Sequence, residues 1–226
     1  FIAYENANVH SFKKAKAMGI TTVLDLAQIH HNSIMEIHNN YGFLNDSYSP
    51  KVLNYINQRK QEALAYTDYV LTLSTFARDS LVNNGIPEHK IFTVNLGLQL
   101  DRFYPKKKYG TNPKFRFLFV GTITQRKGLD ILFKAFKNLK LKDAELVLIG
   151  PMADAKELLE QYKGLYTYHP FMHHEELANQ YRTADVFVFP SYLDSWAQTV
   201  VEAMACGTPA IVSEHTGAKD AVVQGG

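Results

Sequence analysis

The chain has 226 residues, 46% of them hydrophobic and 20% charged, an ordinary globular make-up with room for one large or two small domains. A net charge of +2 excludes the basic field that nucleic-acid binding draws on. Cys206, the single cysteine, excludes an internal disulfide and a cysteine-built metal cluster, and no apolar run reaches the ~20 residues needed to cross a bilayer.

The first half of the chain alternates helical and strand-like patterns. Val9–Met18 reads as a lysine-rich helix closed by Gly19, and Thr21–Leu26 as a β-branched, apolar strand. Helices are expected at His30–Asn40, Pro50–Thr67 and Phe76–Asn84, the last closed by Gly85. Strands are expected at Asp68–Ser74 and Lys90–Asn95. Asp101–Pro113 then breaks the pattern with two prolines, a glycine and a lysine run, which predicts a solvated linker rather than a phosphate-binding patch. Beyond it the alternation resumes. Phe115–Val120 predicts a strand, and Leu129, Leu132, Phe133 and Phe136 a helix. Glu145–Gly150, Thr167–His169, Asp185–Phe189 and Ala210–Ser213 predict further strands, with helices at Ala153–Tyr162, Glu175–Arg182 and Ala197–Ala205. Apolar strands alternating with helices predict an α/β architecture of parallel sheets covered on both faces. Two Rossmann-like domains facing each other are expected, 1–104 and 115–226, joined by 105–114. Beginning at Phe1 and stopping at Gly225-Gly226 with no closing element, the chain reads as part of a longer protein.

Two segments concentrate the chemistry. In VGTITQRKG, Val120–Gly128, Gly121 ends a strand where a missing Cβ lets backbone approach a ligand. Arg126 and Lys127 flank the start of a helix, a place suited to a diphosphate. A solvent-exposed basic turn is the alternative from this segment alone. In SYLDSWAQTVVEAMACGTPAIVS, Ser191–Ser213, Ser195 is the expected N-cap and Gln198–Val201 the first helical turn, with free N–H groups. Glu202 lies one turn beyond Gln198 in an otherwise apolar, small-residue segment, where a carboxylate needs a partner; it could accept from ribose hydroxyls. Asp194 sits at the strand-to-helix loop, placed to meet hydroxyls of a sugar. His169, His173 and His174 are close in sequence but lack a completing carboxylate or cysteine, so no metal site is expected. Cys206 reads as a small packing residue.

With VNLGLQLDRFYP added, these segments resemble family 4 of the retaining glycosyltransferases, enzymes of the GT-B fold with two Rossmann-like domains facing across a cleft. The resemblance implies metal-independent transfer, with retained anomeric configuration, from a nucleoside diphosphate sugar to an acceptor hydroxyl. The sugar nucleotide would be a co-substrate, and no cofactor is implied. Arg126 and Lys127 match the pair that holds the donor diphosphate, and Glu202 the second acid of a two-glutamate motif, on the ribose. Asp194 stands in place of the first glutamate. Ser195-Trp196-Ala197 replaces a usual Gly-Phe-Gly. Gly97 matches a glycine of the first domain's last loop, and Gln99 stands where an aspartate is common. His30 or His31 would supply a histidine near the donor sugar, with a plain surface-loop role equally open. The donor-binding set is completed by Gly121, Thr122, Ser195, Trp196, Ala197, Gln198, Thr199 and Val200.

The resemblance also implies a glycan or lipid-linked acceptor, polysaccharide biosynthesis, a cytoplasmic location and peripheral membrane association at the inner face. Two other readings stay open: a nucleotide-sugar 2-epimerase of the same fold, and a catalytically silent sugar-nucleotide-binding protein.

Overall fold

The computed structural model describes residues 1–5, 8–43, 49–109 and 113–222. It divides into two compact units, Phe1–Leu96 and Gly97–Gly226.

In the first unit, strands β1 (Ile2–Tyr4), β2 (Val23–Leu26), β3 (Tyr69–Thr72) and β4 (Ile91–Thr93) form a parallel sheet in that order. Helices α1 (Val9–Ala17), α2 (His31–Tyr41), α3 (Pro50–Ala65) and α4 (Thr75–Val82) make the connections. Phe12, Leu24, Leu26, Val70, Leu81 and Ile91 form its core. Local chemistry sets the helix starts. The Ser49 and Ser74 hydroxyls accept from Val52 N and Ala77 N, and Pro50 opens α3, where its missing N–H costs nothing.

In the second unit, β5 (Phe115–Val120), β6 (Ala144–Ile149), β7 (Thr167–His169), β8 (Val186–Phe189) and β9 (Ala210–Val212) form a parallel sheet. Their order is β7-β6-β5-β8-β9. Helices α5 (Leu129–Leu139), α6 (Lys156–Gln161), α7 (His174–Thr183) and α8 (Gln198–Ala205) connect them. The direction of strand addition reverses between β5 and β8, the crevice where open α/β sheets bind ligands. Buried aromatics fill the core, with Phe119 and Phe189 stacked at 5.8 Å between ring centroids.

The predicted linker, 105–114, is not where the units divide. Residues 110–112 of it lie outside the described residues, and the part before them packs on the second unit. Phe103 is buried in that core, Lys106 N donates to Cys206 O at 3.0 Å, and Lys106 Nζ donates to Ala184 O at 2.6 Å. One buried phenylalanine outweighs the solvated look of its neighbours, so the boundary falls at Leu96–Gly97.

Candidate functional site

Because β5 and β8 pair directly, the loops that leave their carboxyl ends are neighbours, although they are far apart in sequence. Gly128 joins them. It adopts φ +69°, and a Cβ there would lie 2.0 Å from Pro190 O. Only glycine allows this approach. One main-chain bond and one side chain tie the same place: Tyr192 N donates to Arg126 O at 2.9 Å, and Ser191 Oγ donates to the same carbonyl at 3.2 Å.

The juxtaposition brings three charged side chains together. Lys127 Nζ forms an ion pair with Asp194 Oδ2 and lies 4.7 Å from the centroid of the Phe189 ring. The other carboxylate oxygen, Oδ1, accepts from Ala197 N at 2.8 Å and Trp196 N at 3.2 Å. Arg126 Nη1 donates to Leu193 O at 2.7 Å, which engages one of its five N–H donors. Burial works to raise the Asp194 carboxyl, but Lys127, Arg126 and the Trp196 N–H outweigh it and hold it below the usual carboxylate range. Burial likewise pulls the Lys127 ammonium down, opposed by Asp194 and aided by Arg126. Two cations against one carboxylate leave the cluster net positive.

Helix α8 starts here with no side-chain cap, which leaves the Gln198 and Thr199 N–H groups at its start for an acceptor. Its N-cap is Ala197, at φ 63° and ψ 71°. Ser195 is buried and is not the cap, contrary to the sequence expectation; the Asp194 carboxylate organises the turn instead. The Gln198 amide is a strut: it accepts from Trp196 Nε1 at 2.9 Å and donates to Gly97 O at 3.0 Å. Val200 is fully buried in the core and its N–H donates to Ala197 O, so neither group faces a ligand. Thr199 is half-buried on the first turn, while Gly121 and exposed Thr122 follow β5.

Glu202 lies one turn further along α8. Its partner is Tyr181 of α7, whose hydroxyl donates to Oε2 at 2.8 Å. Burial raises the Glu202 carboxyl, with Tyr181 and His174 pulling the other way. Sequence reading missed Tyr181; the signal was a large polar aromatic on the apolar face of a helix, next to Ala178. Leu193 O and Pro190 were also missed, since backbone roles leave no mark on residue type. Cys206 is fully buried, with its thiol pushed up mainly by burial, and packs in the core. Among the described residues no three His, Cys, Asp or Glu side chains gather to hold a metal.

His30 belongs to the first unit and is buried rather than on a surface loop. It is the N-cap of α2, with Nδ1 accepting from Asn32 N at 3.2 Å. Its ring lies 4.2 Å from that of His31, centroid to centroid. Burial, then the His31 and Lys60 charges, lower its pKa to about 4.

Comparison with known proteins finds a match between residues 102–226 and the family described as "Glycosyl transferases group 1". The chain is 31% identical over 188 residues to D-inositol 3-phosphate glycosyltransferase of Rhodococcus jostii, covering 74% of this chain and 42% of that protein. It is 26% identical over 199 residues to O-antigen chain mannosyltransferase B of Escherichia coli, covering 79% and 52%. The chain thus spans about half the length of these relatives. Among solved structures, Anabaena HepE in complex with UDP and glucose superposes with a TM-score of 0.72 at 14% identity, covering 98% of this chain and 61% of that one. Sucrose-phosphate synthase from Thermosynechococcus elongatus does so at 0.74 and 20%, covering 98% and 57%. The fold is that of GT-B glycosyltransferases.

Proposed function

Because the chain belongs to the group 1 glycosyltransferases, we propose that it is part of a retaining enzyme of the family 4 type. The enzyme moves a sugar from a nucleoside diphosphate sugar to an acceptor hydroxyl. The observation that carries this reading is the Arg126–Lys127–Asp194 cluster at the open end of α8, on the topological switch point of the second sheet. The UDP held by HepE, a neighbour in fold, supports a nucleoside diphosphate as the ligand.

In the transfer, the bond between the anomeric carbon and the β-phosphate oxygen breaks, and its electron pair stays on the diphosphate. The acceptor oxygen bonds to the same carbon on the same face, and its proton passes to the departing oxygen. Negative charge therefore grows on the diphosphate as the reaction proceeds. Arg126, Lys127 and the α8 N–H groups stabilise that growing charge more than the ground state. Asp194 keeps Lys127 charged and aimed while the site is empty. Glu202, with one oxygen held by Tyr181, offers the other to the ribose. The O-antigen chain mannosyltransferase relative supports a glycan acceptor and polysaccharide assembly; a cytoplasmic site of action at the inner face of a membrane belongs to the same proposal.

The test is turnover of UDP- and GDP-sugars by the intact protein and its Arg126→Ala variant, read as release of nucleotide, with the anomeric configuration of the product followed by NMR. A fall of about 100-fold in kcat/KM with unchanged circular dichroism, and a retained anomer in the wild type, is the expected result. Undiminished turnover by the variant, or an inverted product, refutes the reading.

A further inference from the structure

Tyr181 is fully buried on α7, and a buried phenol needs a partner for its hydroxyl. Its ring meets Phe103 and Phe187 edge-on, at 6.0 and 5.8 Å between centroids, and Thr208 Oγ1 donates to Tyr181 O at 2.6 Å. Ring and backbone are both fixed. A phenylalanine would fill the same apolar space, so packing does not account for the hydroxyl.

That hydroxyl donates to Glu202 Oε2 at 2.8 Å. Burial, then the Glu202 charge, push the phenol well above its usual range, so it keeps its proton and donates. Among the described residues no second side chain donates to this carboxylate. A glutamate side chain carries much rotamer freedom. One rigid donor at Oε2 removes most of it and sets the direction in which Oε1 faces.

We propose that Tyr181 is a positioning residue that makes the site select a nucleoside with both ribose hydroxyls, by holding the Glu202 carboxylate in place for them. The inference rests on the proposed function and adds to it the origin of ribose selectivity. The 2′- and 3′-hydroxyls together donate two hydrogen bonds to a fixed carboxylate. A 2′-deoxyribose donates one and leaves a half-buried carboxylate short of a partner, a cost that is large where the site is built around the hydroxyl. A carboxylate free to turn would follow whichever hydroxyl remained, and would discriminate less.

The experiment is calorimetric titration of the intact protein with UDP and GDP, their 2′-deoxy counterparts and inorganic pyrophosphate. Wild type is compared with Tyr181→Phe, Glu202→Ala and the double variant. Wild type is expected to bind a nucleoside diphosphate at least about tenfold more tightly than its 2′-deoxy form, and Tyr181→Phe to bring that ratio to about threefold or less. Pyrophosphate, which would meet Arg126 and Lys127 but not Glu202, should bind wild type and Tyr181→Phe equally. In the Glu202→Ala background, Tyr181→Phe should change the ratio no further. An equal loss for pyrophosphate and nucleotide gives Tyr181 a packing role only and overturns the proposal. So does an unchanged ratio in Tyr181→Phe, or an effect that survives without Glu202. If Tyr181→Phe does not fold, Glu202→Asp, whose shorter arm withdraws the carboxylate from the Tyr181 hydroxyl, carries the same expectations. A nucleoside diphosphate that binds wild type with no preference for the 2′-hydroxyl defeats this inference alone, whereas a wild type that binds neither UDP nor GDP defeats the donor reading and this inference with it.

Discussion

Lys127 and Asp194, 67 residues apart in sequence, form a largely buried ion pair that holds the loops after β5 and β8 together. The pair has two consequences, one for stability and one for ligand binding. Removing one partner leaves the other charged and desolvated. Asp194→Ala is therefore expected to lower stability by about 3 kcal/mol, whereas Lys127→Met with Asp194→Leu costs less than the sum of the single changes. Urea unfolding of Asp194→Ala, of Lys127→Met and Asp194→Leu singly, and of the double variant reads this directly. Additive costs would mean that the pair is not coupled.

Gly128→Ala is expected to cost more than about 2 kcal/mol, since its Cβ would overlap Pro190 O and its φ of +69° is unfavourable for alanine. The same change displaces Arg126 and Lys127, so turnover should fall with stability. Thermal unfolding and kinetics on one preparation check both effects.

Ala197 is the reverse case. An alanine at φ 63° carries a left-handed cost that glycine does not. Ala197→Gly is expected to stabilise the protein by about 0.5–1 kcal/mol after glycine's extra chain entropy is counted. A lower melting temperature in this variant would show that the methyl group's packing matters more than the backbone angle.

The buried His30 gives the first unit a pH dependence. Its folded pKa, about 4, is below the unfolded value near 6.5, so the unfolded chain binds the proton more readily. Stability from this group is complete above the unfolded value. It is lost as pH falls from about 6.5 towards 4, by about 2 kcal/mol between pH 7 and pH 5. His31 shifts in the same direction, mainly through burial. Denaturant unfolding at these two pH values should show the loss. His30→Asn, which can still cap α2, should reduce it; an unchanged slope in the variant assigns the effect elsewhere.

Much of the fold was legible because parallel strands such as Phe115–Val120 and Glu145–Gly150 are apolar throughout and helices intervene. The three-residue β1, exposed at both ends, gave no such signal. The linker was misplaced because a lysine run hid Phe103. Arg126, Lys127, Asp194 and α8 could be identified as residues. Their meeting depends on β5 pairing with β8 out of sequence order, which no local pattern shows. The ion pair and the turn before α8, held by the Asp194 carboxylate rather than by Ser195, depend on the same long-range geometry. So does the Tyr181–Glu202 hydrogen bond.

The central claim is that Arg126 and the Lys127–Asp194 pair receive a diphosphate at the open end of α8. Calorimetric titration of the intact protein with UDP, GDP and ADP, and with the matching nucleosides, tests it most directly in wild type and Arg126→Ala. At least one diphosphate should bind, weaken about 10- to 100-fold in the variant, and bind far more tightly than its nucleoside. A nucleoside that binds as well as its diphosphate, or equal diphosphate affinity in both proteins, would contradict the claim.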